Sequence, residues 1–362
     1  MAEPLLEIRN LNTGFVTENG IVKALDGVSI RIDKGQVVCL VGESGSGKSV
    51  TSMNVMRLSD YDGGIVLEGE ILFDGRDLLK LSQEEMRKIR GNRIAMIFQE
   101  PMNALNPVFT VGDQIAEALY LHKGISKEEA GKEAVKMLRM VGIPEPEIRA
   151  KQFPHELSGG MCQRVVIAMA LICRPELVIA DEPTTALDVT VQAQILDLLR
   201  NLKEEFNTSI LLITHDMGVA AEMADRIAVM YAGTIVEEGT VEQMFTQPLH
   251  PYTVGLLNSI PGLEGARGTE LYTIKGSIPS LANLPKGCRF HPRCPFATDR
   301  CRSEEPPLRD VGDGRRSACW YAEEVAEKAK TVMTTAGEGN EHGAVDAGRD
   351  GAVADQRRRL PD

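Results

Sequence analysis

The chain has 362 residues, a formal net charge of −12, 43% hydrophobic residues and 4% aromatics. That length accommodates two packed units, or one large domain with an appendage, and the acidic balance argues against a general nucleic-acid binder, which usually carries a basic face. No apolar run reaches the roughly 18 residues of a membrane-spanning helix and the N-terminus lacks the pattern of a secretory signal, so the chain is expected in the cytoplasm, where its seven cysteines are poor disulfide formers.

Residues 5–247 alternate short apolar runs with helical periodicity, the pattern of an α/β unit with a mostly parallel sheet. VVCLVG at 37–42 reads as a buried strand. It runs into Gly42, Glu43, Ser44, Gly45, Ser46, Gly47, Lys48 and Ser49, a full match to the G-x-x-x-x-G-K-[ST] phosphate loop in the strand-to-helix setting that motif requires. The glycines let successive amides turn toward phosphate, and a helix starting near Lys48 adds its positive end. Lys48 would reach the β- and γ-phosphates and the Ser49 hydroxyl would ligate magnesium.

IAMIFQ at 94–99 is a second strand, ending in Gln99. From Thr110 to Val141 apolar residues recur at helical spacing, including Val111, Ile115, Leu119, Val135, Leu138 and Val141, which predicts a separate helical lobe. LSGGMCQR follows at 157–164. LVIADEP at 177–183 then places Asp181 and Glu182 at the carboxyl edge of the sheet, where ligands bind in such folds. Adjacent strand residues point oppositely, so the two carboxylates are expected to differ in role. TTALD holds Asp188, and ILLITHD at 210–216 is a fourth buried strand carrying His215.

From about Pro248 the composition shifts to proline, glycine and clustered cysteine, which marks a second unit over 248–325. Residues 331–362 hold few large apolar side chains and are expected to be a disordered tail. Cys39, Cys162 and Cys173 lie in or beside apolar segments and read as buried thiols. Cys288, Cys294, Cys301 and Cys319 are separated by gaps of five, six and seventeen residues. Four thiolates accept tetrahedral zinc or an iron–sulfur cluster. The C-x₂-C pairs of zinc ribbons are absent and the wider gaps favour a larger cluster, with unligated thiols in a loop-rich segment as the plain alternative. His291 could replace one cysteine as a ligand. A bound metal would let so short a proline-rich segment fold without a core of its own.

Taken in order, the phosphate loop, Gln99, LSGG, Asp181–Glu182, Asp188 and His215 resemble the ABC ATPases. That resemblance implies a P-loop ABC domain with a mostly parallel core sheet, an antiparallel β subdomain and a helical signature lobe. It implies that Asp181 holds the magnesium shell and Glu182 polarises the attacking water. Gln99 would touch magnesium and the lytic water, and His215 the γ-phosphate. Asp188 would communicate across a dimer, and Phe15 would stack on adenine, against a plain reading of Phe15 as a core or surface aromatic. Ser158, Gly159 and Gly160 would face the γ-phosphate of ATP held by a second ABC ATPase subunit, identical or paralogous.

FQEPMNALNPVFTVGDQI at 98–115 and FTQPLHPYT at 245–253 narrow the resemblance to ATP-binding subunits of dipeptide, oligopeptide and nickel importers. The implied partners are two membrane permeases and an external substrate-binding protein, with this subunit at the cytoplasmic face of the plasma (inner) membrane. The implied cofactors are ATP, Mg²⁺ and a [4Fe-4S] cluster, with zinc as alternative. The expected function is an ATP hydrolase driving di- or oligopeptide uptake, with nickel or glutathione as alternative cargo. A soluble non-transport ABC ATPase commonly carries long coiled coils between phosphate loop and signature, and no sustained heptads occur here. A module that only holds ATP is disfavoured because Lys48, Glu182 and His215 are all present.

Overall fold

In the computed structural model, residues 4–18, 20–185, 187–260 and 273–327 are described. Five short runs rich in branched apolar residues form its centre: β3 (Val37–Val41), β6 (Ile94–Ile97), β7 (Leu177–Asp181), β8 (Ser209–Thr214) and β9 (Arg226–Tyr231). They lie side by side in the order β6-β7-β8-β3-β9, all parallel. Every residue of β3, β7 and β8 is buried, which is why these strands read as continuous apolar runs and not as alternating ones.

Period-two geometry sends the two faces of β3 into different cores. Val38 and Leu40 join Leu6, Ile8, Leu25, Ile32 and Phe73 of an antiparallel sheet. That sheet comprises β1 (Pro4–Thr17), β2 (Gly20–Asp33), β4 (Gly64–Phe73) and β5 (Arg76–Asp77) in the order β2-β1-β4-β5. The helix α1 (Lys48–Val55), which starts at the residue the phosphate-loop motif predicts, reaches the same core through Val55. A short α2 (Gln83–Ile89) covers its edge through Met86 and Ile89.

Val37, Cys39 and Val41 face the other core. There, after the short α3 (Pro101–Ala104), the expected helical lobe appears as α4 (Val111–Lys123) and α5 (Lys127–Met140). Thr110 caps the start of α4 and Gly124, at φ 66°, ends it. A Ser126/Glu129 capping box starts α5. Ala130, Ala134, Met137 and Leu138 form the buried stripe of α5, and Val135 is only half-buried. Below them lie α6 (Pro146–Arg149), α7 (Gly159–Leu171), α8 (Val189–Phe206) and α9 (Met217–Met223). Cys162 and Cys173, like Cys39, are buried in this core.

Beyond β9 the chain reverses through Ala232 and Gly233, at φ 45° and 85°, into antiparallel β10 (Thr234–Thr240). Two left-handed residues in a two-residue loop match the twist of the flanking strands. The helices α10 (Val241–Thr246) and α11 (Pro251–Asn258) follow. The cysteine-rich segment with α12 (Asp299–Ser303) is not free-standing. Its strands β11 (Arg309–Asp310) and β12 (Arg316–Ser317) continue the main sheet, Glu237 pairing with Ser317 and Glu238 with Arg316. Arg316 and Glu238 also form an ion pair across that seam. The sequence does not announce this, because strands of two residues carry no periodicity. The expected tail at 331–362 lies outside the described residues.

The junction is held by buried polar groups. Glu237 accepts the backbone N–H groups of Leu249 (2.7 Å) and His250 (2.9 Å), and His250 Nδ1 accepts the Tyr252 N–H at 3.1 Å, capping α11. Burial pulls the His250 imidazole down to about 3 from its ordinary 6.5. An unfolded chain takes up this proton below 6.5 and the folded one does not, so the contribution is intact above 6.5 and is lost as pH falls, by up to about 1.4 kcal/mol per pH unit. Burial pushes Glu237 the other way, to about 7, and its contribution is present below 4.5 and fades as pH rises through 7. Comparison of His250→Asn, which keeps a capping acceptor, with the parent protein isolates the histidine. The variant should gain on the parent by roughly 1–2 kcal/mol in chemical denaturation between pH 7 and pH 5; parallel stability curves would remove the buried imidazole as the cause.

Candidate nucleotide site

The phosphate loop bridges β3 and α1, and its shape rests on glycine. A Cβ on Gly42 would stand 2.3 Å from the Met230 carbonyl oxygen and 2.8 Å from Ser46 Oγ. Gly47 takes φ 108°, a left-handed value that lets the loop turn into α1. Lys48 Nζ donates to the carbonyls of Gly42 (2.8 Å) and Glu43 (3.1 Å). Burial lowers the Lys48 pKa, opposed by the nearby charges of Glu182 and Asp181. Glu43, Ser44, Gly45, Gly47, Lys48 and Ser49 line one cleft of about 810 Å³, while Ser46 is fully buried behind it.

Gln99, Glu182 and His215, from the ends of three different strands, line the same cleft, and so does Phe15 of β1. Asp181 ends β7 and lies 3.2 Å from Ser49 Oγ, with its carboxyl pKa raised by burial. Glu182 comes next at φ 46°, so the chain leaves strand geometry there. Its Oε2 accepts from Gln99 Nε2 (3.0 Å) and Thr185 Oγ1 (2.9 Å). Its Oε1 lies 3.3 Å from His215 Nδ1 and 4.0 Å from Lys48 Nζ. The two carboxylates are placed differently: Asp181 sits beside the Ser49 hydroxyl and Glu182 lines the cleft.

Ser158, Gly159 and Gly160 do not line that cleft. Ser158 caps α7, accepting the Met161 N–H at 3.4 Å, and Ser158 and Gly159 are exposed. Asp188 caps α8, accepting the Val191 N–H at 3.0 Å. A Cβ on Gly160 would lie 3.3 Å from Val191 Cγ1, so the signature and the Asp188 turn adjoin. Cys162 points away, its Sγ 3.4 Å from the Pro154 carbonyl. Gln163 is buried and donates to the Pro183 carbonyl at 2.7 Å, tying α7 to the turn after Glu182.

Residues 25–185 match the ABC transporter family model and residues 236–301 match that of the oligopeptide/dipeptide transporter C-terminal region. The oligopeptide transport ATP-binding protein AppD of Bacillus subtilis is 53% identical over 326 residues, covering 90% of this chain and 99% of that protein. The dipeptide transport ATP-binding protein DppD of the same organism is 52% identical over 327 residues, covering 90% and 97%. This chain belongs to the ATP-binding subunits of the oligopeptide/dipeptide ABC transporters. A solved dimeric ATP-binding cassette bound to ADP and phosphate superposes with a TM-score of 0.59 at 32% identity, covering 65% of this chain and 98% of that one.

In this ABC subunit the four clustered cysteines all line one small cavity, with Phe290, Phe296 and Trp320 among its other walls. They form no disulfide. Burial pushes the Cys294 thiol up to about 11 and Cys319 up to about 12. Among the described residues no three His, Cys, Asp or Glu side chains are arranged to hold a single metal ion. His291 turns its Nδ1 to the Cys288 carbonyl at 2.9 Å.

Three neighbours of the nucleotide cleft escaped the motif reading. Tyr252 Oη accepts the Glu43 N–H at 2.8 Å, Arg293 Nη1 lies 3.0 Å from Glu43 Oε1, and Leu281 lines the cleft. The only sequence signal for any of them was the HPYT stretch, which marks the family and carries no catalytic logic of its own.

Gly42→Ala is expected to cost about 1–3 kcal/mol of stability and to abolish nucleotide binding, because the new methyl meets the Met230 carbonyl. Thermal melting and titration with a fluorescent ATP analogue check both; unchanged affinity would show that the loop tolerates the shift.

Proposed function

We propose that the chain is the ATP-hydrolysing subunit of a di- or oligopeptide importer, working as one half of an ATPase pair beneath two permeases fed by an external binding protein. The reading is carried by the position of Glu182, whose carboxylate faces the cleft beside Lys48, Gln99 and His215. The oligopeptide/dipeptide C-terminal match and the names of the relatives support peptide as cargo over nickel or glutathione. The division into 5–247 and 248–325 rests on the change of composition near Pro248; the second matched region, 236–301, begins a little before it. The subunit would sit at the cytoplasmic face of the membrane through its permeases, consistent with no described helix being long and apolar enough to cross one.

Within the cleft, the loop amides and Lys48 would bind the β- and γ-phosphates, and Phe15 would stack on the base. The buried Asp181 carboxylate beside Ser49 Oγ, with Gln99 across the cleft, suits magnesium, which neutralises phosphate oxygens when bound. Glu182 would take the proton of the attacking water, Gln99 would orient that water, and His215 would contact the γ-phosphate. Ser158, Gly159 and Gly160, outside the cleft and at the start of α7, would serve the ATP of the second ATPase subunit, with Asp188 beside them at the same interface.

Phe109 lines a groove of about 920 Å³ on the helical lobe, Met102 and Val108 of the same 98–115 stretch are also exposed, and a permease would seat there. Cys288, Cys294, Cys301 and Cys319 would hold a [4Fe-4S] cluster. Four thiols lining one small cavity, none of them in a disulfide, support that reading.

In transporter assembled with its permeases and binding protein, Glu182→Gln should keep ATP affinity, cut turnover by at least about 100-fold and accumulate a closed ATPase pair. Hydrolysis near the parent rate would remove Glu182 as the base, and parent transporter whose turnover ignores dipeptides and longer peptides would remove peptide as cargo. Protein purified without oxygen should carry iron and acid-labile sulfide in roughly four-to-four stoichiometry; zinc without sulfide would overturn the cluster.

A further inference from the structure

We propose that Arg293, brought by the C-terminal segment, is a positioning residue of the ATP site: it neutralises Glu43 of the phosphate loop and fixes that residue clear of the triphosphate. The inference rests on the reading that residues 42–49 hold the phosphates. Glu43 is an awkward residue there. Glu43 lines the nucleotide cleft, and a negative charge beside bound phosphates weakens their binding unless it is paired.

Arg293 supplies the pairing from a nearly sealed position, its side chain 5% exposed against 31% for Glu43. Nη1 meets Glu43 Oε1 at 3.0 Å. The rest of the guanidinium is spent on backbone: Nε donates to Lys275 O at 3.0 Å, and Nη2 to Ile274 O and Gly276 O, each at 3.3 Å. The group also stands 5.8 Å from the centre of the Tyr231 ring. The donor fork is therefore aimed before any nucleotide arrives. A second contact fixes the same residue from the other side, since Tyr252 Oη accepts the Glu43 N–H at 2.8 Å, and Tyr231 packs edge-on to Tyr252 at 4.7 Å. The segment that Arg293 anchors also carries Leu281 into the cleft wall. The C-terminal region thus builds part of the ATP pocket, and two of its residues hold one phosphate-loop residue by side chain and by backbone.

The test uses the full chain, with affinity read by a fluorescent ATP analogue and KM and kcat read in the assembled transporter. Arg293→Gln keeps donors for the backbone carbonyls and removes the charge. It should raise KM for ATP and the dissociation constant by about tenfold, the order expected for one uncompensated charge near an anion, with kcat within about twofold. Adding Glu43→Gln to Arg293→Gln should restore KM to near the parent value, which a purely structural arginine would not permit. An unchanged KM in Arg293→Gln, or a double variant as weak as the single, overturns the proposal. Should Arg293→Gln fail to fold, Glu43→Gln alone decides: affinity equal to or tighter than the parent supports the proposal, and weakened affinity sinks it. Lys48→Ala serves as the separate check on the site itself, because retained binding there would mean that the loop reading, and not the role of Arg293, has failed.

Discussion

Parallel register is the constraint on which the nucleotide site depends. Val41 lies beside Thr214, Asp181 beside Ile213, and Ile97 beside Ala180. All the chains therefore leave the sheet at one edge, and the residues just past each strand are delivered to one place: the phosphate loop after β3, Gln99 after β6, Glu182 after β7 and His215 after β8. A slip of one residue in any pair would exchange the two faces of that strand. It would send Val38 and Leu40 toward the helical lobe, so the hydrophobic cores enforce the register and the register assembles the chemistry.

The same geometry keeps the signature away from its own phosphate loop. Ser158 starts a helix beside α8's capping turn, exposed and outside the cleft. Gln163 nevertheless joins that helix to the Pro183 carbonyl, one residue past Glu182. A shift of α7 is thus felt at the turn that carries the carboxylate.

Much of this was legible in the sequence because it is local. The strands end within one or two residues of the apolar runs that predicted them, and Lys48 starts a helix as the motif demands. The helical lobe followed from periodicity, with Val135 the exception on its half-buried flank. What escaped was non-local. The left-handed turn at Glu182 has no glycine to announce it. Arg293 and Tyr252 reach Glu43 across 250 and 209 residues of chain, and such contacts leave no spacing pattern. The pairing of β12 with β10 rests on two residues, too few to alternate. The charge of Glu43 was itself a clue that a partner cation had to come from elsewhere.

That pairing has a consequence for how the molecule associates. Without it, β10 would be the bare margin of a six-stranded sheet, the free side of a seven-residue strand open to any passing strand. The two short strands occupy that margin, and the outermost, Arg309–Asp310, is exposed, brief and charged at both positions. The cysteine-rich segment is therefore also a hem: it finishes this margin of the sheet and leaves little unpaired backbone there for another strand.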